Sequence, residues 1–384
     1  MSINSKYTFI PESLKRLLRK TSFYKKRLIR NGTIVKLSEV DTILNEAPAL
    51  LFEKKIIKKP KVAIIKTQTG LDFDEYVNPK ASWLRYERFC KINNIPYGFY
   101  DITKSDWMEQ AVNYDVFICH TESTPAFQEM MESKVYILEK FMGKHCFPNY
   151  HELWQYENKN RASFLYELYA LPTIPTLLTY NEEEAIELID KNGYPFITKT
   201  TIGAGSSGVT KIDSKSQALK QIKNIFSSKG LKSQYPYYRQ KDYLYIQQFI
   251  DDATFDLRIM LVGDMAFGYY RYPNKGDFRA SGAGNTEKKA IPEDALRLAI
   301  DVRNKLNSRQ MGVDLLYSEK TKQYYIIETS LFNQIDTPEQ LVINGVPGYY
   351  DISNINNISF KEGKFWMQEL VLRNVIIEWD EKTN

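Results

Sequence analysis

Cysteine and histidine are both scarce, three of each in 384 residues. Cys90, Cys119 and Cys146 are widely spaced and odd in number, which argues against a disulfide framework or a zinc site. They point instead to a reducing compartment, with the cytoplasm as the expected location. His120, His145 and His151 come without a Ser-His-Asp constellation, so structural roles are expected for them. Long apolar runs are missing as well. Nothing approaches the roughly 18 residues needed to span a bilayer, and the N-terminus has no apolar signal segment. Charge of one sign is in only small excess, a net +5, which gives no reason to expect a nucleic-acid partner. Internal repeats and low-complexity tracts are absent. What remains is an ordinary globular composition, 43% hydrophobic and 26% charged, long enough for two or three units around a large core. Aromatics are the one abundance, with 27 tyrosines. They read as core and surface packing, with sugar or base stacking as the sharper alternative.

Along the chain, Pro11 to Arg30 reads as a basic helix, with Leu14, Leu17, Leu18 and Leu28 among eight lysines and arginines. It is expected to pack on the protein's own body, and peripheral contact with an anionic membrane through residues 11–30 is the alternative. The next stretch alternates strand and helix: a strand at Val62–Lys66, a helix at Ser82–Asn93, strands at Tyr97–Asp101 and Asp115–His120, and a helix over Met130–Met142. A segment at His145–Pro148 follows. That alternation predicts a parallel, doubly wound sheet. The turn Thr67-Gln68-Thr69-Gly70 carries no dinucleotide fingerprint. A helix at Ala162–Ala170 is broken by Pro172 and Pro175. Beyond it an α+β pattern follows, with helices at Glu182–Lys191 and Pro292–Leu306 and strands at Pro195–Thr200, Tyr243–Ile250, Asp256–Val262, Phe267–Arg271 and Tyr324–Thr329.

Three constellations carry chemistry. The strand ending at Lys199 runs into Thr200-Thr201-Ile202-Gly203-Ala204-Gly205-Ser206-Ser207-Gly208. A lysine beside a loop rich in Gly and Ser offers a charge and free backbone N–H groups to phosphate oxygens. Such loops are also ordinary turns. Next, Gln247-Gln248-Phe249-Ile250-Asp251-Asp252 could line a base and reach ribose hydroxyls. Arg258 and Arg271 follow on adjacent strands, suited to phosphate or carboxylate. Finally, Asp314 and Glu328 lie within apolar strands, where a carboxylate needs a cation. Mg²⁺ or an arginine would serve equally at this point.

The order of these pieces resembles the ATP-grasp superfamily, especially its ribosomal-protein glutamate ligase-like and D-alanine ligase-like branches, over roughly Asn158 to Ile335. The resemblance implies two α+β subdomains clasping ATP, preceded by a Rossmann-like α/β domain. The implied divisions are a basic helical extension at 1–55, the preceding domain at 56–157, a lid subdomain at 158–250 and a metal-bearing subdomain at 251–384. It implies that Lys159 and Lys199 contact ATP, that Gly203, Gly205, Ser206, Ser207 and Gly208 form the phosphate lid, and that Gln248 and Phe249 flank adenine. Asp251 or Asp252 would hold ribose. Asp314 and Glu328 would hold Mg²⁺, with Ser330 or Asn333 in place of the family's asparagine, since Glu-x-Asn here reads Glu328-Thr329-Ser330. Where the family places its first nucleotide lysine this chain has Asn160, with Lys159 one residue before it. The loop Asn274 to Asn285, containing Arg279, has its own sequence and suggests its own substrate.

The implied reaction is ATP-dependent joining of a carboxylate to an amine through an acylphosphate, with Arg258, Arg271 and Arg279 as the catalytic arginines. Small-molecule or glycan-linked substrates fit, including an envelope or capsule precursor at the inner membrane face, or an amino acid or peptide. A homo-oligomer is compatible with the sequence. A kinase on the same scaffold and a non-catalytic nucleotide-binding module are the rival readings.

Overall fold

The computed structural model describes residues 21–52, 57–66, 75–119, 123–203, 206, 208–235, 237–332 and 337–383. The sequence assignments at residues 11–20, at the turn 67–70 and at His120, Gly205, Ser207 and Asn333 lie outside them. The chain divides into two compact units.

The first unit comprises Met1–His120, Ile335–Pro338 and Lys364–Asn384. Its central strand, Val62–Ile65, is four consecutive apolar residues buried throughout, as a strand covered on both faces requires. It pairs in parallel with Tyr97–Tyr100 on one side and Val116–Cys119 on the other, and the helix Ser82–Ile92 makes the crossover. This is the expected alternation. A basic helix, Ser22–Arg30, is capped by Thr21, whose hydroxyl accepts from the Tyr24 amide, and it buries Leu28. The helix Met367–Thr383, which the sequence pattern did not suggest, completes the unit. Its buried residues lie all round it, so it lacks the one-sided stripe by which a surface helix is recognised. Glu369 on this helix pairs with Arg88 at 2.8 Å. Trp366, just before it, donates its indole N–H to the Leu44 carbonyl.

The second unit comprises Thr121–Gln334 and Glu339–Gly363 and contains two antiparallel sheets. In the smaller, the strand order is Thr176–Thr179, Leu244–Gln248, Phe196–Lys199, Val209–Ile212. Helices Glu182–Asn192 and Lys215–Ile225 bury Ala185, Ile189, Ala218 and Ile222 against its Phe196, Ile212, Leu244 and Ile246. In the larger, the order is Gln323–Ser330, Gln310–Ser318, Asp256–Val262, Met265–Tyr272, Val346–Asp351, Leu341–Ile343. Helix Glu293–Lys305 also belongs to this unit.

Two helices begin earlier than their apolar periodicity suggested. Pro125–Lys140 starts with proline in its first turn, where a missing N–H costs nothing. Lys159–Leu168 starts directly after Asn158, whose side-chain oxygen accepts from the Arg161 amide at 3.1 Å. The second shift matters, because it puts Lys159 in the helix's first turn. Among the described residues no helix is long and apolar enough to cross a membrane.

Candidate functional site

The floor of the site is the larger sheet, where register places charge against charge. Arg258 faces Asp314 across one strand pair, Asp256 faces Arg271 across another, and Asp314 faces Glu328 across a third. Arg258 grips Asp314 with two parallel bonds, Nε to Oδ1 at 2.7 Å and Nη2 to Oδ2 at 2.6 Å. Arg271 adds a third, to Oδ2 at 2.7 Å, and also bonds Asp256. Burial alone would raise the Asp314 pKa, but the two guanidinium groups outweigh it and hold the carboxyl well below its usual range. Arg258 stays charged for the complementary reason: Asp314 overrides the cost of burying it. Gly268 keeps these strands close, since a Cβ there would meet the Arg258 carbonyl oxygen at 2.1 Å.

Two lysines stand over this floor. Lys199 ends its strand and is buried. Burial is the largest influence on it and brings its pKa down to about 8, against the opposing pull of Glu328 and Asp314. Lys159 donates to the Gly203 carbonyl at 2.9 Å and pairs with Glu328 at 3.2 Å. Although burial lowers its affinity for a proton, Glu328 and Glu157 raise it further. The two lysines are held together by backbone. The Lys159 amide donates to the Thr201 carbonyl at 3.0 Å, and the Thr201 hydroxyl donates to Asn158 Oδ1 at 2.9 Å. Tyr166, on the Lys159 helix, accepts from the Thr329 amide at 2.9 Å and so ties that helix to the strand bearing Glu328.

The glycine loop begins at this junction. Gly208 takes φ 81°, and a Cβ on it would overlap the Thr200 hydroxyl. Ser206 also has positive φ, 62°, and its hydroxyl donates to the Ser281 carbonyl at 3.1 Å, joining the glycine loop to the loop that bears Arg279. Phe249 packs edge-on against Phe278 of that second loop, ring centres 5.5 Å apart, with Lys211 4.9 Å from the Phe249 ring. The amide of Gln248 donates to the Pro175 carbonyl while its residue is exposed. Asp251 pairs with Lys320 at 2.6 Å, and Asp252 accepts from the Lys320 amide and the Ser318 hydroxyl. Arg279 lies near the surface and is held by Asp277 at 2.8 Å.

A divalent cation is compatible with this donor set. Mg²⁺ takes one or two protein carboxylates and completes its shell with phosphate oxygens and water. Among the described residues no three acidic, cysteine or histidine side chains gather to hold a metal alone. Asp314 and Glu328 are nevertheless adjacent hard-oxygen donors, and Asp314 Oδ1 accepts only one of the three arginine bonds. Ser330 continues the strand and faces Gly312.

One residue of this neighbourhood escaped the sequence reading. Glu157 precedes Asn158 at φ 53°, and its Oε2 is shut away from solvent without a hydrogen-bond partner. Burial first, then the charge of Glu328, pushes its pKa up to about 7, with Lys159 and Arg258 acting against them. A carboxylate beside a helix start looks like part of the cap, and no local pattern distinguishes the two.

Residues 157–343 match the RimK-like ATP-grasp domain family. The alpha-aminoadipate–LysW ligase LysX of Saccharolobus solfataricus is 26% identical over 229 residues, 59% of this chain and 72% of that protein. The tetrahydromethanopterin:alpha-L-glutamate ligase of Methanocaldococcus jannaschii is 26% identical over 210 residues, 53% of this chain and 63% of that protein. Among solved structures, D-alanine–D-alanine ligase from Bacillus anthracis complexed with ATP is similar, with a TM-score of 0.49 and 13% identity over 84% of this chain and 98% of that one.

Proposed function

We propose, from the premise that this chain is an ATP-grasp ligase forming C–N bonds with ATP, that it activates a carboxylate as an acylphosphate and passes the acyl group to an α-amino acid. The single observation that supports this most is the convergence of Lys159 and Lys199 with Arg258 and Arg271 around the carboxylates Asp314 and Glu328. Positive groups fixed in place before the reaction stabilise charge on a transferring phosphoryl group without reorganising. In this reading Lys159, Lys199 and the loop Gly203–Gly208 hold the phosphates. Gln248 and Phe249 border adenine, and Asp251 or Asp252 reaches ribose once released from Lys320. Asp314 and Glu328 would hold Mg²⁺, which when bound supplies charge neutralisation between phosphate oxygens. Arg279 is exposed enough to trade Asp277 for a substrate carboxylate.

The amine as an α-amino acid is supported by the relatives, whose names pair a ligase with aminoadipate or with glutamate. The carboxylate partner is a small molecule, a peptide end or an envelope precursor. The helix Ser22–Arg30 has Lys25, Lys26, Arg27 and Arg30 with Phe23 exposed, which supports a further proposal of contact with an anionic membrane.

The deciding experiment traps the intermediate. With Mg-ATP, a panel of carboxylates and hydroxylamine, the protein should release ADP and form a hydroxamate. ADP release with a phosphorylated alcohol and no hydroxamate would identify a kinase. Absence of any Mg-ATP-dependent rise in melting temperature would remove the nucleotide site itself.

A further inference from the structure

Between Lys199 and the glycines the backbone is gripped from two sides. On one side the start of the Lys159 helix takes the Thr201 carbonyl and hydroxyl and, through Lys159 Nζ, the Gly203 carbonyl. On the other stand two side chains outside the scheme above, Tyr243 and Gln240. The Thr201 amide donates to the Tyr243 hydroxyl at 2.7 Å, and that hydroxyl donates to Gln240 Oε1 at 2.7 Å. Gln240 Nε2 then donates to the Ile202 carbonyl at 3.1 Å, which closes the relay. Tyr243 and Gln240 are 3% and 1% exposed, so water is not at hand to replace either of them.

The chain is shaped to deliver this pair. Strands Leu231–Lys232 and Arg239–Gln240 form a two-stranded ladder in which Leu231 faces Gln240. Gly230, at φ 59°, lies so close that a Cβ there would meet the Gln240 carbonyl oxygen at 2.6 Å. Between the ladder's strands, the Tyr235 hydroxyl donates to the Ser123 carbonyl at 2.6 Å. Asp242 takes φ 63°, a conformation that aspartate tolerates, in the turn that separates Gln240 from Tyr243. Every polar group of Thr201 is thereby engaged: its amide by Tyr243, its carbonyl by the Lys159 amide, its hydroxyl by Asn158.

Donors aimed at phosphate oxygens are effective only when their geometry is fixed before the ligand arrives. We propose that Tyr243 and Gln240 are positioning residues for the nucleotide phosphates, clamping Thr201 and Ile202 as the static base of the glycine loop and so keeping Lys159 and Lys199 in register. This rests on the nucleotide-binding reading above. Neither side chain would touch the nucleotide, and both act through the backbone of Thr201 and Ile202. The effect belongs to the phosphates, because the residues assigned to adenine, Gln248 and Phe249, lie at the far end of the strand that follows Tyr243.

Tyr243→Phe keeps the ring and removes the hydroxyl, and Gln240→Met keeps the length and removes the amide. Wild type, both variants and the double variant are titrated with Mg-ATP and Mg-ADP by calorimetry and with adenosine by ligand-observed NMR. Each single variant should raise Kd for both nucleotides about tenfold, the worth of one lost hydrogen bond, while adenosine stays within roughly twofold. The double variant should lose little more than the weaker-binding single, since the two side chains form one relay. In ADP release, KM for ATP should rise by the same factor and KM for an accepted carboxylate should not move. A lowered melting temperature with unchanged nucleotide Kd in both variants, or an equal loss with adenosine, overturns the proposal. A wild type that binds no Mg-ATP is a separate failure, of the nucleotide reading itself.

Discussion

Lys199 is the residue whose chemistry is most exposed to test. Its pKa is lowered from 10.5 to about 8 in the folded protein, so between those values the unfolded chain binds more protons. Its contribution to stability therefore rises with pH across that window, and the cost of burying its charge is fully present below pH 8. Nucleotide binding runs the other way, because phosphate favours the charged lysine. Mg-ATP binding near pH 8 should take up a fraction of a proton, read by calorimetry in buffers of different ionisation heat. Lys199→Ala should abolish that uptake. Asp314 offers a second test. Replacing it with asparagine leaves Arg258 and Arg271 buried with their shared counter-charge gone, which should destabilise by roughly 3–5 kcal/mol in denaturant unfolding. Glu157, by contrast, could not be found by reading residues one at a time. Its left-handed backbone and orphaned oxygen are products of tertiary structure, and the sequence shows only a glutamate before an asparagine.

Elements were legible where hydrophobicity is continuous and obscure where it is not. The strand Val62–Ile65 was readable because it is apolar throughout, and Leu244–Gln248 and Asp256–Val262 because each contains a shorter apolar run, Leu244–Ile246 and Ile259–Val262. Val209–Ile212 and Ser359–Glu362 are short and half polar, and only their neighbours make them strands. Helix starts were misjudged because the first turn of Lys159–Leu168 is polar and set by its cap rather than by periodicity. That cap is itself testable. Asn158→Ala should cost about 1 kcal/mol of stability, and it should weaken Mg-ATP binding by freeing the Thr201 hydroxyl that aligns Lys159 with Lys199. Gly268→Ala pushes two central strands apart at Arg258, and a melting curve should show a loss of roughly 1–3 kcal/mol.

At the scale of the whole molecule, the second unit could be anticipated because its constellations follow one another in chain order. In the first unit the parallel sheet was legible and the last helix was not, because that helix is separated from its sheet by the whole of the second unit, and composition carries no mark of such a return. The Arg88–Glu369 pair fastens that return, with both side chains almost free of solvent. Glu369→Ala should lower stability by roughly 3–5 kcal/mol while a Mg-ATP-dependent melting shift remains measurable. Sedimentation with anionic vesicles at low and high salt tests the basic helix, and binding that is absent or indifferent to salt removes the membrane proposal.

The returning helix also has a consequence for the order of synthesis. Domains that fold on the ribosome generally do so from the N-terminus onward. Here the strands Val62–Ile65 and Val116–Cys119 emerge first, yet the helix that completes their unit is translated only after the entire second unit. The later-made unit can therefore finish before the earlier one, and the nascent first unit must wait, its apolar strands only partly covered, for residues 367–383 to leave the tunnel.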